Sequence, residues 1–168
     1  MQSQITTPRL ELNKLTIEDA EFTQVLVNSE EWIRFIGERN IKSKEDAEKY
    51  TLKIIETPNI IYWVVRLKEE GTPIGIITFI KRDYLAHHDI GFAFLSEYGK
   101  NGYAYEAANA VLKYITKDPN HKNILATTIK ENTSSINLLE KLGLRFLEEI
   151  EVEKDLLMIY SINADKEL

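Results

Sequence analysis

Apolar and polar residues follow a two-residue period in some stretches of this chain and a three-to-four-residue period in others, and the switches mark its elements. Leu10 and Leu12 stand between polar neighbours, as in a short first strand. Thr16-Ile17-Glu18-Asp19 has the form of a helix start with Thr16 as N-cap. Phe22, Val25 and Leu26 are spaced as the apolar stripe of the helix that follows. A second short helical piece is expected over residues 29–36, ending near Gly37. Ser43 caps a third over about residues 44–56. Thr57-Pro58-Asn59 stops it, because the residue before a proline is pushed out of the helical region.

The period then changes. Residues 60–68 are rich in β-branched and aromatic side chains, Glu69-Glu70-Gly71-Thr72-Pro73 reads as a hairpin turn, and residues 74–81 as the return strand. After a connection at residues 83–87, residues 88–95 form a third strand. The clearest element is a helix from Gly102 to about Lys117. Ala104, Ala107, Ala108, Val111, Leu112 and Ile115 recur at helical spacing and define a buried face, with Glu106, Asn109 and Lys113 opposite. Asp118-Pro119-Asn120 breaks this helix. Residues 124–129 are a strand expected to run parallel to 88–95, since a helix crosses between them. A helix over about residues 134–142 stops at Gly143, and residues 146–152 and 156–162 close the chain as a hairpin. The pattern predicts a mixed α/β sheet with one glycine-loop crossover near its middle.

That crossover carries the first chemical signal. Tyr98-Gly99-Lys100-Asn101-Gly102-Tyr103-Ala104 lies between a strand and a helix N-terminus. Glycine lets a ligand come close to the backbone, and the free N–H groups of a first helical turn suit an anion. A phosphorylated cofactor is therefore expected, and several kinds compete. A nucleotide-binding Walker loop needs Lys and Ser or Thr after its last glycine, and Gly102-Tyr103 does not supply them. A dinucleotide fold needs three glycines at G-x-G-x-x-G near the first strand, whereas this loop comes late and has another spacing. A coenzyme A pyrophosphate loop remains, beside the plain alternative of a loop glycine before a helix.

Composition narrows the setting. With 168 residues, the chain is long enough for one domain, 1–168, with a real core. Its 27 acidic and 21 basic residues, net charge -6, argue against a general nucleic-acid binder. The absence of cysteine excludes disulfides, thiol nucleophiles and thiolate metal sites, and no metal site is expected. No apolar run is long enough to span a bilayer, and Met1-Gln2-Ser3-Gln4 does not read as a signal peptide, so a cytoplasmic protein is expected.

A second segment decides between the cofactor readings: Lys130-Glu131-Asn132-Thr133-Ser134-Ser135-Ile136-Asn137-Leu138-Leu139, continuing through Glu140-Lys141-Leu142-Gly143. Together with the glycine loop it resembles the GNAT acyltransferase superfamily, and within it the RimJ/RimL branch of ribosomal-protein N-terminal acetyltransferases. The family's Gln/Arg-x-x-Gly-x-Gly/Ala signature maps onto Gly99 to Ala104, with Gly99 where Gln or Arg is usual. The later Asn-x-x-Ser-x-x-Leu maps onto Asn132, Ser135 and Leu138. Thr7-Pro8-Arg9-Leu10-Glu11-Leu12 resembles the branch's opening strand, and Pro73-Ile74-Gly75 its central hairpin.

The resemblance implies a GNAT fold: a central mixed sheet, helices on both faces, and a parallel strand pair that splays to admit the pantetheine arm of acetyl-CoA. It implies that backbone groups of Phe94 and Leu95 pair with the pantetheine and that amides of Gly99, Lys100, Asn101, Gly102, Tyr103 and Ala104 hold the pyrophosphate. Leu95 or a neighbour would also polarise the thioester, and Asn132 would bond the arm or cap the next helix. Asp89 stands where this branch commonly has Glu, as a candidate base or a structural ion-pair partner. The usual acidic Tyr position is Leu139, so Ser135 is the candidate proton donor to the leaving thiolate, or simply a first-turn residue. His87 and His88 are loop histidines able to titrate near neutrality, and His121 is expected at the surface. The acceptor pocket is expected between the early helices and the last hairpin: Glu30, Glu31, Trp32 and Phe35 are either an acidic-aromatic acceptor cluster or an ordinary amphipathic helix, and Tyr84 and the final hairpin are further acceptor candidates.

The acceptor sets how strong a base is needed. Freeing a lysine-like amine of pKa about 10.4 at pH 7 costs roughly 4–5 kcal/mol, and an α-amino group near pKa 8 about 1–1.5 kcal/mol. A carboxylate working through water suffices for the second. The expected activity is thus acetyl transfer to an amine, foremost a protein N-terminus. Transfer to a polyamine, amino acid or aminoglycoside, and a non-catalytic acyl-CoA-binding module, are the alternatives. A monomer or homodimer is expected, with no nucleic-acid or membrane partner.

Overall fold

The computed structural model describes residues 4–167. Met1, Gln2 and Ser3, most of the stretch read for a leader, lie outside the described residues. The chain builds an eight-stranded sheet in the order β1-β2-β3-β4-β5-β6-β8-β7. The strands are β1 (Gln4–Thr6), β2 (Leu10–Lys14), β3 (Ile60–Leu67), β4 (Pro73–Ile80), β5 (Asp89–Phe94), β6 (Asn123–Thr128), β7 (Arg145–Val152) and β8 (Asp155–Asn163). Every neighbouring pair is antiparallel except β5 and β6. β1 adds to the pattern read from sequence. Three residues are too few to show a period, but Ile5 is buried opposite Leu12.

Helices cover both faces. α1 (Ala20–Val27), α2 (Glu30–Phe35) and α3 (Lys44–Glu56) pack on one, where Leu26, Trp32, Ala47 and Ile54 meet Val64 and Ile76. α4 (Tyr103–Ile115) and α5 (Thr133–Lys141) pack on the other, where Ala107, Val111, Leu112 and Leu139 meet Trp63, Ile77 and Ile90. Alternation along β4 sends Ile76 to the first core and Ile77 to the second. A short turn, α6 (Ala164–Glu167), ends the described chain.

The helix starts follow local capping. Ser29 Oγ accepts from the Trp32 amide at 3.4 Å and Ser43 Oγ from the Asp46 amide at 3.0 Å. Thr16 opens a 3-10 turn (Ile17–Asp19) before α1, and its amide donates to Asp19 Oδ2 at 2.9 Å. The apolar stripe of α1 differs from the sequence pattern. Val25 is 53% exposed, and the buried positions are Ala20, Thr23, Leu26 and Val27. Thr23 can be buried because its hydroxyl donates to the Asp19 carbonyl at 3.0 Å, which hides its polarity from the core.

The β5–β6 seam positions the site. The two strands register at Asp89 opposite Leu125, and the Leu125 amide donates to the His88 carbonyl at 3.0 Å. Beyond that point no further Cα partners join them, so they part toward their C-terminal ends. β8 then continues the sheet from β6, leaving β7 at the edge.

Candidate active site

The glycine loop leaves β5 through a 3-10 turn (Ser96–Tyr98), closed by the Gly99 amide donating to the Ser96 carbonyl at 2.9 Å. Lys100 (φ 65) and Gly102 (φ 79) take left-handed backbone, and Gly102 is the N-cap of α4. The first amide bonded back into this helix is that of Glu106, to the Gly102 carbonyl at 3.0 Å. The amides of Tyr103, Ala104 and Tyr105 precede it at the positive end of the helix dipole. Asn101 Nδ2 donates to the Gly99 carbonyl at 3.2 Å and holds the loop's shape. This is a cradle for an anion, and it fits a pyrophosphate.

Glu106 is not on a free outer face, as its helical phase suggests. It accepts from Thr7 Oγ1 at 2.5 Å, the Arg9 amide at 3.0 Å and Arg9 Nε at 2.7 Å, and Arg9 in turn lies 4.3 Å from the Tyr103 ring centroid. The β1–β2 turn therefore clamps the start of α4. Partial burial raises the Glu106 carboxyl, but these three hydrogen bonds outweigh it and leave the group below the ordinary glutamate value.

Where β5 and β6 part lies a groove of about 240 Å³. The sheet contributes Thr78, Asp89 and Gly91, β6 contributes Thr127 and Thr128, and the start of α5 contributes Asn132 and Ser135. Trp32 and Phe35 of α2, with Arg82 and Tyr84 of the β4–β5 connection, form another wall. Three predicted residues, Asp89, Asn132 and Ser135, thus share one groove. Phe94, Leu95 and the glycine loop lie outside its lining, further along the chain toward α4.

The backbone of β5 sorts Phe94 from Leu95. The Leu95 amide donates to the Ile74 carbonyl at 2.9 Å and the Leu95 carbonyl accepts from the Tyr98 amide at 3.0 Å. The amide is therefore spent inside the protein, while the carbonyl keeps a second lone pair. Phe94, opposite Gly75, is in the alternate phase and turns its N–H and C=O toward the gap with β6.

Asp89 is 2% exposed, and its Oδ2 accepts from Arg82 Nε at 2.5 Å. Burial pushes its carboxyl above the ordinary aspartate value, and Arg82 pulls it part of the way back. Asn132 is the N-cap of α5: its Oδ1 accepts from the Ser135 amide at 3.2 Å, leaving Nδ2 free of that bond. Leu139, one turn beyond Ser135, is buried and gives the groove an apolar wall.

The histidines stand apart. His87 is exposed and His88 stacks on Phe79 at 4.5 Å, and neither lines the groove. His121 is not a plain surface residue, since it packs edge-on against Phe79 at 5.0 Å and His88 at 4.8 Å. Of the α2 cluster only Trp32 and Phe35 reach the groove. The sequence pattern missed Arg82. The available signal was its place beyond Ile80, which pairs with Asp89 across the β4–β5 turn, within reach of that carboxylate.

A splayed parallel pair, a glycine loop on a helix start and an Asn-Ser helix beside the gap define an acyl-transfer architecture. The family model of the GNAT acetyltransferase domain matches residues 9–145, and the chain belongs to that family. It is an acyltransferase of the N-acetyltransferase type. It is 33% identical over 143 residues to YnaD, an uncharacterized N-acetyltransferase of Bacillus subtilis (strain 168), covering 84% of this chain and 82% of that protein. The structure of a GNAT acetyltransferase from Bacillus anthracis superposes with a TM-score of 0.81 at 27% identity, covering 97% of this chain and 99% of that one. The ribosomal-protein-S5-alanine acetyltransferase of Vibrio fischeri (TM-score 0.82, 19% identity, 99% and 100% covered) shares the fold. So does a spermidine N-acetyltransferase chimera of the Vibrio cholerae and hSSAT proteins (0.79, 20%, 94% and 97%).

Proposed function

We propose that this enzyme transfers an acetyl group from acetyl-CoA to the α-amino group of a polypeptide N-terminus, as a RimJ/RimL-type acetyltransferase. One observation carries the choice of acceptor. Among the residues lining the groove, the sole carboxylate is Asp89, and Arg82 already pairs with it. No acidic side chain is left there to hold the second ammonium of a polyamine. A single amine of pKa near 8 needs none, because freeing it at pH 7 costs only about 1–1.5 kcal/mol.

When bound, acetyl-CoA supplies the thioester carbonyl that the amine attacks. The backbone of Phe94 pairs with the pantetheine arm, and the amides of Lys100 to Ala104, with Gly99 shaping the turn, hold the pyrophosphate. Asn132 Nδ2 bonds the arm while its Oδ1 keeps α5 capped. Asp89 takes the amine proton through water, and its raised carboxyl makes it a better acceptor of that proton than an ordinary aspartate. Ser135 Oγ would pass a proton to the departing sulfur while taking one up from water, so that the hydroxyl is restored.

Thiol release on a panel of N-terminal peptides and free amines, spermidine included, tests the acceptor. Preferential use of spermidine would refute it. Asp89→Asn and Ser135→Ala are expected to lower kcat at least tenfold while changing coenzyme A affinity less than twofold. Full turnover in both would remove these roles.

A further inference from the structure

We propose that Thr78 is a positioning residue for proton removal: its hydroxyl and Asp89 Oδ1 hold between them the water through which the acceptor amine loses its proton. This rests on the reading above that Asp89 takes that proton, and it names the side chain that fixes the path.

Thr78 and Asp89 share one face of the sheet. β4 and β5 pair Thr78 with Gly91 and Ile80 with Asp89, and two-residue alternation puts all four on the side where Ile76 and Ala93 pack beneath the first three helices. Thr78 is 8% exposed, and its neighbours along β4, Ile76, Ile77, Phe79 and Ile80, are all apolar. Among the described residues its hydroxyl has no hydrogen-bond partner. Only Trp32 Nε1 is both unpaired and closed to solvent there, so the Thr78 oxygen is open to the groove that Thr78 lines. Gly91 makes this placement possible. Its backbone is ordinary extended strand, so no dihedral demands glycine. A Cβ there would lie 2.6 Å from Thr78 Oγ1, closer than real contacts allow, so the hydroxyl lies over Gly91 and uses the space its missing side chain leaves. A nearly buried hydroxyl without a partner costs free energy unless water or a ligand completes its bonds.

Asp89 presents the matching atom. Arg82 Nε occupies its Oδ2 at 2.5 Å, while Oδ1 takes no hydrogen bond from the described residues and is likewise open to the groove. Diagonal neighbours across an antiparallel pair, as Thr78 and Asp89 are, stand about 7–8 Å apart and their side chains less, a span that one bridging water closes. Such a water donates one hydrogen to Asp89 Oδ1 and the other to a lone pair of Thr78 Oγ1, which leaves its own lone pair for the amine. The ammonium proton then passes to the water oxygen as the water's proton passes to Asp89. The nitrogen gains its free electron pair, the water is restored and the carboxylate becomes a carboxyl. That proton later leaves to solvent through the groove. Without the hydroxyl the water is held at one end only, and its lone pair is no longer aimed.

The test uses acetyl-CoA with an alanine-initiated peptide, or with spermidine if the acceptor panel selects it, because the relay acts on the nitrogen alone. Thr78→Val keeps the shape and loses the hydroxyl. It is expected to lower kcat about three- to tenfold, the worth of one neutral hydrogen bond, with the KM for acetyl-CoA and the affinity for coenzyme A changing less than twofold. Thr78→Ser returns the hydroxyl and is expected to recover most of the loss. The same substitution is then made in Asp89→Asn, where no base is left for the water to serve. Adding Thr78→Val there is expected to cost less than a further twofold. A packing role for Thr78 would cost the same factor in both backgrounds, and that result would overturn the inference, as would no recovery in Thr78→Ser. If Asp89→Asn is impaired while Thr78→Val keeps full kcat, the inference alone fails. If Asp89→Asn itself keeps full turnover, the reading of Asp89 as proton acceptor fails and the relay with it.

Discussion

Replacing Gly102 by alanine should uncouple two effects that a glycine loop usually confounds. Gly102 sits at φ 79, ψ 6, where an L-residue costs about 1–2 kcal/mol. The new Cβ would lie 3.4 Å from Arg9 Nη2, an ordinary contact, so the backbone strain is the whole cost to folding. Gly71, at φ 72 in the β3–β4 turn with nothing within 4 Å of its would-be Cβ, carries the same strain away from the cradle. Each variant should therefore lose about 1–2 kcal/mol, or roughly 2–8 °C in Tm for a chain of this size. Only Gly102→Ala can shed that strain by turning the amides of the first helical turn away from the pyrophosphate. Losing one hydrogen bond to a charged group costs about 1.5–3 kcal/mol, roughly ten- to hundredfold in Kd. Calorimetric titration with coenzyme A, beside thermal unfolding of both variants, measures the two effects. Gly102→Ala binding within twofold of the wild type, or Gly71→Ala losing as much affinity, would refute the cradle.

Arg82→Met leaves the buried Asp89 carboxylate without its partner. The stability loss should fall toward the lower end of the usual 3–5 kcal/mol for a split buried pair, because Arg82 is partly open, and Asp89→Asn on top should recover most of it. Because burial raises the folded Asp89 pKa, its contribution is fully present below the unfolded value of about 3.9 and is lost as pH rises through the folded value. The deficit of Arg82→Met should thus shrink as the pH of thermal unfolding is lowered toward 4. Glu106 has the opposite sign: its folded pKa is lowered, so the clamp on Thr7 and Arg9 stabilises above about pH 4.3 and is lost as pH falls through the folded value. Glu106→Gln should be less stable than the wild type at neutral pH, and the two curves should converge in acid.

What was legible in the sequence is what a few neighbouring residues decide. Ser43 caps α3, the stripe from Ala107 to Ile115 buries one side of α4, and Gly102 takes the left-handed turn at its start, because capping, helical phase and φ are fixed within a turn or two of chain. The order of elements follows from those local signals, and with it the parallel pairing of β5 and β6. Local signals also misled. Helical spacing puts Val25 with Phe22 and Leu26 on an apolar stripe, yet it is 53% exposed, and helical phase leaves Glu106 free because it knows nothing of Thr7 and Arg9, which lie 99 and 97 residues away.

The site itself was decided by tertiary structure. Leu95 and Phe94 are adjacent in sequence and equally apolar. Only the register of β5 on β4 spends the amide of one and leaves the backbone of the other facing the gap. Asp89 became one half of an ion pair when the β4–β5 turn brought Arg82 to 2.5 Å, and Trp32 became a groove wall when α2 folded over the sheet. The sequence by itself determined the elements and the glycine loop at the start of α4, because those depend on neighbours along the chain. The groove depends on residues from α2, β4, β5, β6 and α5 meeting across the open seam, and their distances do not exist until the sheet has formed.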